Sequence, residues 1–100
     1  MLILKNIKRL WVPYKIILSK KYKQKYKKAN TKDRILIDEV VEKLSNDEIL
    51  EAKYKDHALK GNYIGFRECH VKPDLLLVYR KNKNILELYL AILSNHNNIF

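Results

Sequence analysis

The sequence predicts an α+β fold in which two to three N-terminal helices pack on a mainly antiparallel four-stranded sheet. Three observations lead there. Short aliphatic runs at 14–18, 66–71, 75–80 and 85–93 have the length and β-branched content of strands. Between the first run and the rest, apolar residues recur at three-and-four spacing, the mark of an amphipathic helix. The last three runs are joined by three or four residues each, short enough for antiparallel hairpins, so helices should gather on one face of the sheet.

Residues 1–13 mix apolar and basic side chains, and Pro13 breaks any helix that would run on, so they read as an extension before a single domain over 14–100. YKIIL at 14–18 is the first strand. Ser19 can cap a helix over KKYKQKYKKA, where Tyr22 and Tyr26 share one face and lysines fill the rest. These tyrosines read as core. Asn30 or Thr31 can cap the next helix, with Asp33 in its first turn, and Ile37, Val40, Val41 and Leu44 form its buried stripe. SNDE at 45–48 has the form of a capping box, which predicts a short third helical turn through Leu50. Residues 53–65 look irregular. Of the closing strands, 85–93 is nearly all apolar apart from Glu87, as suits a strand covered on both sides.

A chain of 100 residues has room for one modest core, and an apolar content of 47% is too high for disorder. Its formal charge is +10, and ten basic residues fall within the first thirty positions, ahead of the first acidic residue, Asp33. Such an imbalance attracts polyanions, RNA foremost, or an acidic protein partner. No run is long enough to span a bilayer, the basic segment lacks the continuous apolar face of an interfacial helix, and no signal-peptide cleavage site follows the N-terminal stretch. A single cysteine excludes an internal disulfide, and the cytoplasm is the expected compartment.

Chemistry is concentrated in HALKGNYIGFRECHVKPD at 57–74, which contains two of the three histidines, the cysteine and both glycines. Strand alternation sends Phe66, Glu68 and His70 to one face and Arg67, Cys69 and Val71 to the other. Asp74 follows at the turn, His57 arrives from the irregular segment, and His96 lies just past the last strand. Imidazoles and carboxylates on a basic surface suit acid–base chemistry on a phosphodiester. RNA carries its own nucleophile, the 2′-hydroxyl, so cleavage needs a base, an acid and positive charge. Cys69 reads as packing, Arg67 equally as a structural ion pair, and no pair among Cys69 and the histidines has metal-ligand spacing.

HALKG followed by FRECHVKPDLLLVY, then a terminal strand leading to a histidine and a final phenylalanine, resembles the YafQ branch of the RelE-type bacterial toxins. The resemblance covers 14–100 and is densest from Asp56 to Tyr79. It implies a microbial-RNase-like RelE fold and metal-independent cleavage of mRNA on the ribosome, without a cofactor. It further implies an antitoxin partner and contact with operator DNA only through the antitoxin complex. By position it implies catalytic roles for His57, Glu68, His70, Asp74, His96 and Phe100. His96 would be the general acid and His70, supported by Glu68 or Asp74, the leading base. Lys60, Arg67 and Lys72 are the expected RNA contacts.

The chain also departs from that pattern. Ile92 stands where the family usually has an arginine, Ser94 replaces a turn glycine, and Leu75 replaces a tryptophan of some relatives. A guanidinium at the scissile phosphate is worth several kcal/mol, roughly a hundredfold in rate. Two outcomes therefore stand side by side: a working nuclease, or an attenuated homologue that keeps the antitoxin-binding surface and acts as a co-repressor. General RNA binding is a third.

Overall fold

A computed structural model describes residues 14–95. The chain order is β1 (Lys15–Leu18), α1 (Lys20–Lys28), α2 (Thr31–Ser45), β2 (His57–Ala58), β3 (Arg67–Lys72), β4 (Leu75–Asn82) and β5 (Glu87–Asn95). Single 3-10 turns at Ala52–Tyr54 and Gly61–Tyr63 flank β2. The five strands form one sheet in the order β1-β5-β4-β3-β2, antiparallel except where β1 runs parallel to β5. The expected α+β arrangement is present, with one strand more than the sequence suggested. The extra strand, β2, has two residues, too few to show an alternating pattern.

Both helices begin at the caps their sequences favour. Ser19 Oγ accepts from the Tyr22 amide at 2.9 Å, and Asn30 Oδ1 accepts from the Asp33 amide at 2.8 Å. Lys25, Lys27 and Lys28 lie in the last turn of α1, next to the negative end of its dipole. The helices are tied together by the Tyr26 hydroxyl, 3.0 Å from Asp38 Oδ1, and by Arg34, whose guanidinium donates to the carbonyls of Tyr26 and Lys27. Tyr22 is buried and stacks on Tyr26 with ring centroids 5.9 Å apart, a packing role as expected.

The expected third helical turn through Leu50 does not form. Ser45 belongs to α2, is buried, and donates its hydroxyl back to the Glu42 carbonyl at 2.9 Å, so it closes the last turn of that helix rather than starting another. Asp47 then takes a left-handed conformation (φ 58°), which ends the helix. The last strand likewise starts two residues later than the sequence suggests. Asn82 Oδ1 accepts from the Asn84 and Ile85 amides and holds 83–86 in a turn.

The core lies between the helices and one face of the sheet. Ile37, Val40, Val41 and Leu44 of α2 meet Cys69, Val71, Leu77, Tyr79, Leu88, Leu90 and Leu93. The spacing of the last three breaks strand alternation. A β-bulge resolves it: Val78 pairs with Ile92 and Tyr79 with Leu90, leaving Ala91 unpaired. That extra residue turns Leu93 to the core alongside Leu88 and Leu90 and sends Tyr89 and Ile92 to the opposite face.

Candidate active site

The face of the sheet away from the helices carries the chemistry. Its register sets His57 opposite Glu68, Glu68 opposite Val78, and Val78 opposite Ile92, a row across four strands. His57 Nε2 is 3.4 Å from Glu68 Oε1. Glu68 is almost buried, its side chain 12% exposed, whereas the His57 side chain is half exposed. One member of the pair is shielded and the other meets solvent.

The local backbone explains why His57 points there. Lys55 adopts a left-handed conformation (φ 48°), and its carbonyl accepts from His57 Nδ1–H at 2.7 Å. That bond leaves Nε2 turned toward the carboxylate. Asp56, between the two, is the anchor of the segment. Its carboxylate accepts from the buried Tyr79 hydroxyl at 2.6 Å and from Arg67 Nη2 and Nε at 3.0 and 3.2 Å. A residue that the sequence offered no reason to single out therefore fixes β2 to the edge of β3. Arg67, expected as an RNA contact, is committed to this structural pair, and its pKa is raised chiefly by the hydrogen bond to Asp56. Burial, reinforced by Asp56, pushes the Tyr79 hydroxyl up as well.

The other candidates are spread more widely. His70 occupies the next open-face position of β3, opposite Leu76, with Nδ1 3.4 Å from the Pro73 carbonyl. It borders a groove of about 440 Å³ lined also by Leu36, Tyr54, Val71 and Pro73. Among the described residues no hydrogen bond or ion pair joins His70 or Asp74 to Glu68; the carboxylate's histidine partner is His57. Lys72 Nζ is 3.0 Å from Asp33 and 3.8 Å from the exposed Asp74, and the bond to Asp33 raises its pKa. Lys60 is exposed at the end of the β2 segment. His96 and Phe100 lie outside the described residues. Cys69 is fully buried on the core face, where burial pushes the thiol up to about 12, far from a reactive thiolate.

A further group lies on the same face, Arg80, which the sequence offers beside Lys72 as a source of the charge missing at Ile92 but without the rings that hold it. The Arg80 guanidinium lies 4.8 Å from the Phe66 ring centroid and 5.5 Å from that of Tyr89. Strict alternation along β5 would put Tyr89 and Ile92 on opposite faces; the bulge at Ala91 brings both to the open one.

Comparison with known proteins agrees with this architecture. A family model described as the YafQ bacterial toxin of type II toxin–antitoxin systems matches residues 14–100. The mRNA interferase toxin YafQ of Escherichia coli K12 is 42% identical over 43 residues, 43% of this chain and 47% of that toxin. The chain thus spans about half the length of the curated relatives it matches. A copper-bound point mutant of a toxin from Helicobacter pylori superimposes with a TM-score of 0.78 at 38% identity, covering 87% of this chain and 99% of that one. The E. coli DinJ–YafQ toxin–antitoxin complex gives a TM-score of 0.76 at 29% identity, over 89% and 99% of the two chains. With its sheet, its helices and its 14–100 segment all following one pattern, the chain belongs to the YafQ family of type II toxins.

Proposed function

We propose that this protein is an endoribonuclease toxin that cuts mRNA on the ribosome and is held inactive by a cognate antitoxin. The observation that carries the proposal is the His57–Glu68 pair: a half-exposed imidazole 3.4 Å from a shielded carboxylate, on the open face of a strongly basic protein. Support comes also from the E. coli relative, named an mRNA interferase, and from the solved DinJ–YafQ complex. The partners would be mRNA, the ribosome and an antitoxin, with operator DNA reached through the antitoxin complex, all in the cytoplasm.

In this proposal the His57–Glu68 pair takes the proton from a ribose 2′-hydroxyl, and the 2′-oxygen attacks the adjacent phosphorus. The P–O5′ bond breaks, and an acid returns a proton to the departing 5′-oxygen, leaving a 2′,3′-cyclic phosphate. His96 fits the acid by its place in the family pattern. Chemistry of this kind rests on positioned proton donors and positive charge, without a cofactor. Expression without antitoxin should arrest growth, and His57→Ala should abolish the arrest at unchanged protein level. Continued arrest by His57→Ala would remove the pair from the mechanism.

One observation favours the second reading, an attenuated homologue acting with its antitoxin as a co-repressor. Ile92 stands at the end of the same cross-strand row and brings an aliphatic side chain where a cation would be most useful. If the parent fails to arrest growth and Ile92→Arg does so, the attenuated form is the correct one.

A further inference from the structure

The open face carries a cation whose setting is built rather than incidental. Arg80 is exposed on β4, two positions from Val78, and so is the diagonal neighbour of both Glu68 on β3 and Ile92 on β5. Diagonal neighbours in an antiparallel sheet lie roughly 7–8 Å apart, within reach of an arginine side chain. Its guanidinium is held by two rings, Phe66 at 4.8 Å and Tyr89 at 5.5 Å, and those rings meet each other edge to face with centroids 6.5 Å apart. Tyr63 extends the aromatic surface, its ring 6.1 Å from Phe66.

No carboxylate among the described residues pairs with Arg80, in contrast to Arg67, Lys72 and Lys81, each of which has an acidic partner. A guanidinium stacked on rings keeps its N–H edge for an anion while its planar faces are shielded, and it binds phosphate oxygens in a fork that ammonium cannot copy. Aromatic rings at the same spot offer stacking faces to unpaired bases.

We infer that Arg80, positioned by Phe66 and Tyr89, binds the RNA phosphate at the His57–Glu68 site and supplies the positive charge that Ile92 cannot. This rests on the nuclease proposal only for its catalytic part; the phosphate contact is a binding statement that stands or falls separately. Arg80 is the group that touches substrate, and Phe66 and Tyr89 are positioning residues.

Two measurements on the full chain keep these apart. The first is equilibrium binding of a short single-stranded 2′-O-methyl RNA, which cannot be cleaved, across a salt series. Arg80→Gln should weaken binding and lower the slope of log K against log salt by about 0.7, one phosphate contact on a single strand. Arg80→Lys should restore the slope but only part of the affinity. Tyr89→Phe should bind as the parent does, whereas Tyr89→Leu should lose affinity at a thermal midpoint equal to that of Tyr89→Phe, a loss that a merely structural tyrosine would not give. An unchanged slope in Arg80→Gln, with its thermal midpoint equal to the parent's, overturns the inference. The second is cleavage in a translating extract. There Arg80→Gln should cut at least a hundredfold more slowly than the parent, and equal rates would overturn the catalytic part. A parent that binds through Arg80 yet cuts nothing would overturn the nuclease proposal and the catalytic role together, while upholding the phosphate contact.

Discussion

The Ser19 hydroxyl donates to the carbonyl of Ala91, the unpaired residue of the β5 bulge, while accepting from the Tyr22 amide as the cap of α1. The Ser19 amide adds a bond to the Leu90 carbonyl at 3.0 Å. One residue thus joins the start of the lysine-rich helix to the irregularity that places Tyr89 and Ile92 on the open face.

Ser19→Ala removes both hydroxyl bonds. Loss of the cap and of a part-buried hydrogen bond should cost about 1–2 kcal/mol, read as a lower urea midpoint at unchanged m-value. Ser19→Thr should recover most of it. A loss below a few tenths of a kcal/mol would show that the bulge is held by strand packing alone.

Asp56 accepts three hydrogen bonds from Tyr79 and Arg67. Asp56→Ala leaves a buried phenol without its acceptor and should cost about 2 kcal/mol, more than the roughly 1 kcal/mol expected of Tyr79→Phe. The double variant should be less destabilised than the sum, because both changes remove the same bond. Strict additivity in urea unfolding would mean that the Tyr79–Asp56 bond contributes nothing.

Asp47 has a lowered pKa, first through the hydrogen bond from Lys81 Nζ at 2.8 Å and also through the charges of Lys81 and Lys83, partly opposed by burial. A depressed carboxylate stabilises the fold above its unfolded pKa, and that stability is lost as pH falls through the folded value. Asp47→Asn tolerates the left-handed backbone and removes only the charge. Parent and variant should therefore differ modestly at neutral pH and converge below the usual carboxylate range. A gap that persists in acid would assign the difference to something other than this ionisation.

Cys69 should resist iodoacetamide at pH 8 in the folded protein and react fully in denaturant. Its burial and the upward shift to about 12 leave almost no exposed thiolate. Rapid native labelling would mean that β3 opens far more readily than its central packing implies.

Much of the fold was legible because its signals are periodic. The stripe of α2, the caps at Ser19 and Asn30, and the hairpin around Pro73 and Asp74 each follow from local spacing and turn chemistry. What stayed hidden depends on register between distant strands. Alternation along β3 correctly separated Glu68 from Cys69, yet nothing in the sequence could say that a two-residue strand would set His57, rather than His70, against that carboxylate. Nor could an unbroken parity count foresee Tyr89 and Ile92 on one face, since the bulge involves contacts between distant segments, with Leu88, Leu90 and Leu93 in the core and Ser19 bonded to Ala91. The role of Asp56 was invisible for the same reason: its partners lie 11 and 23 residues away.

The most direct test is primer-extension mapping of mRNA in a translating extract, comparing the parent with His57→Ala and Glu68→Gln. Cuts at defined codon positions, lost in His57→Ala and strongly reduced in Glu68→Gln, are the predicted result. Cuts that survive intact in both variants would contradict the central claim that this pair performs the proton transfer.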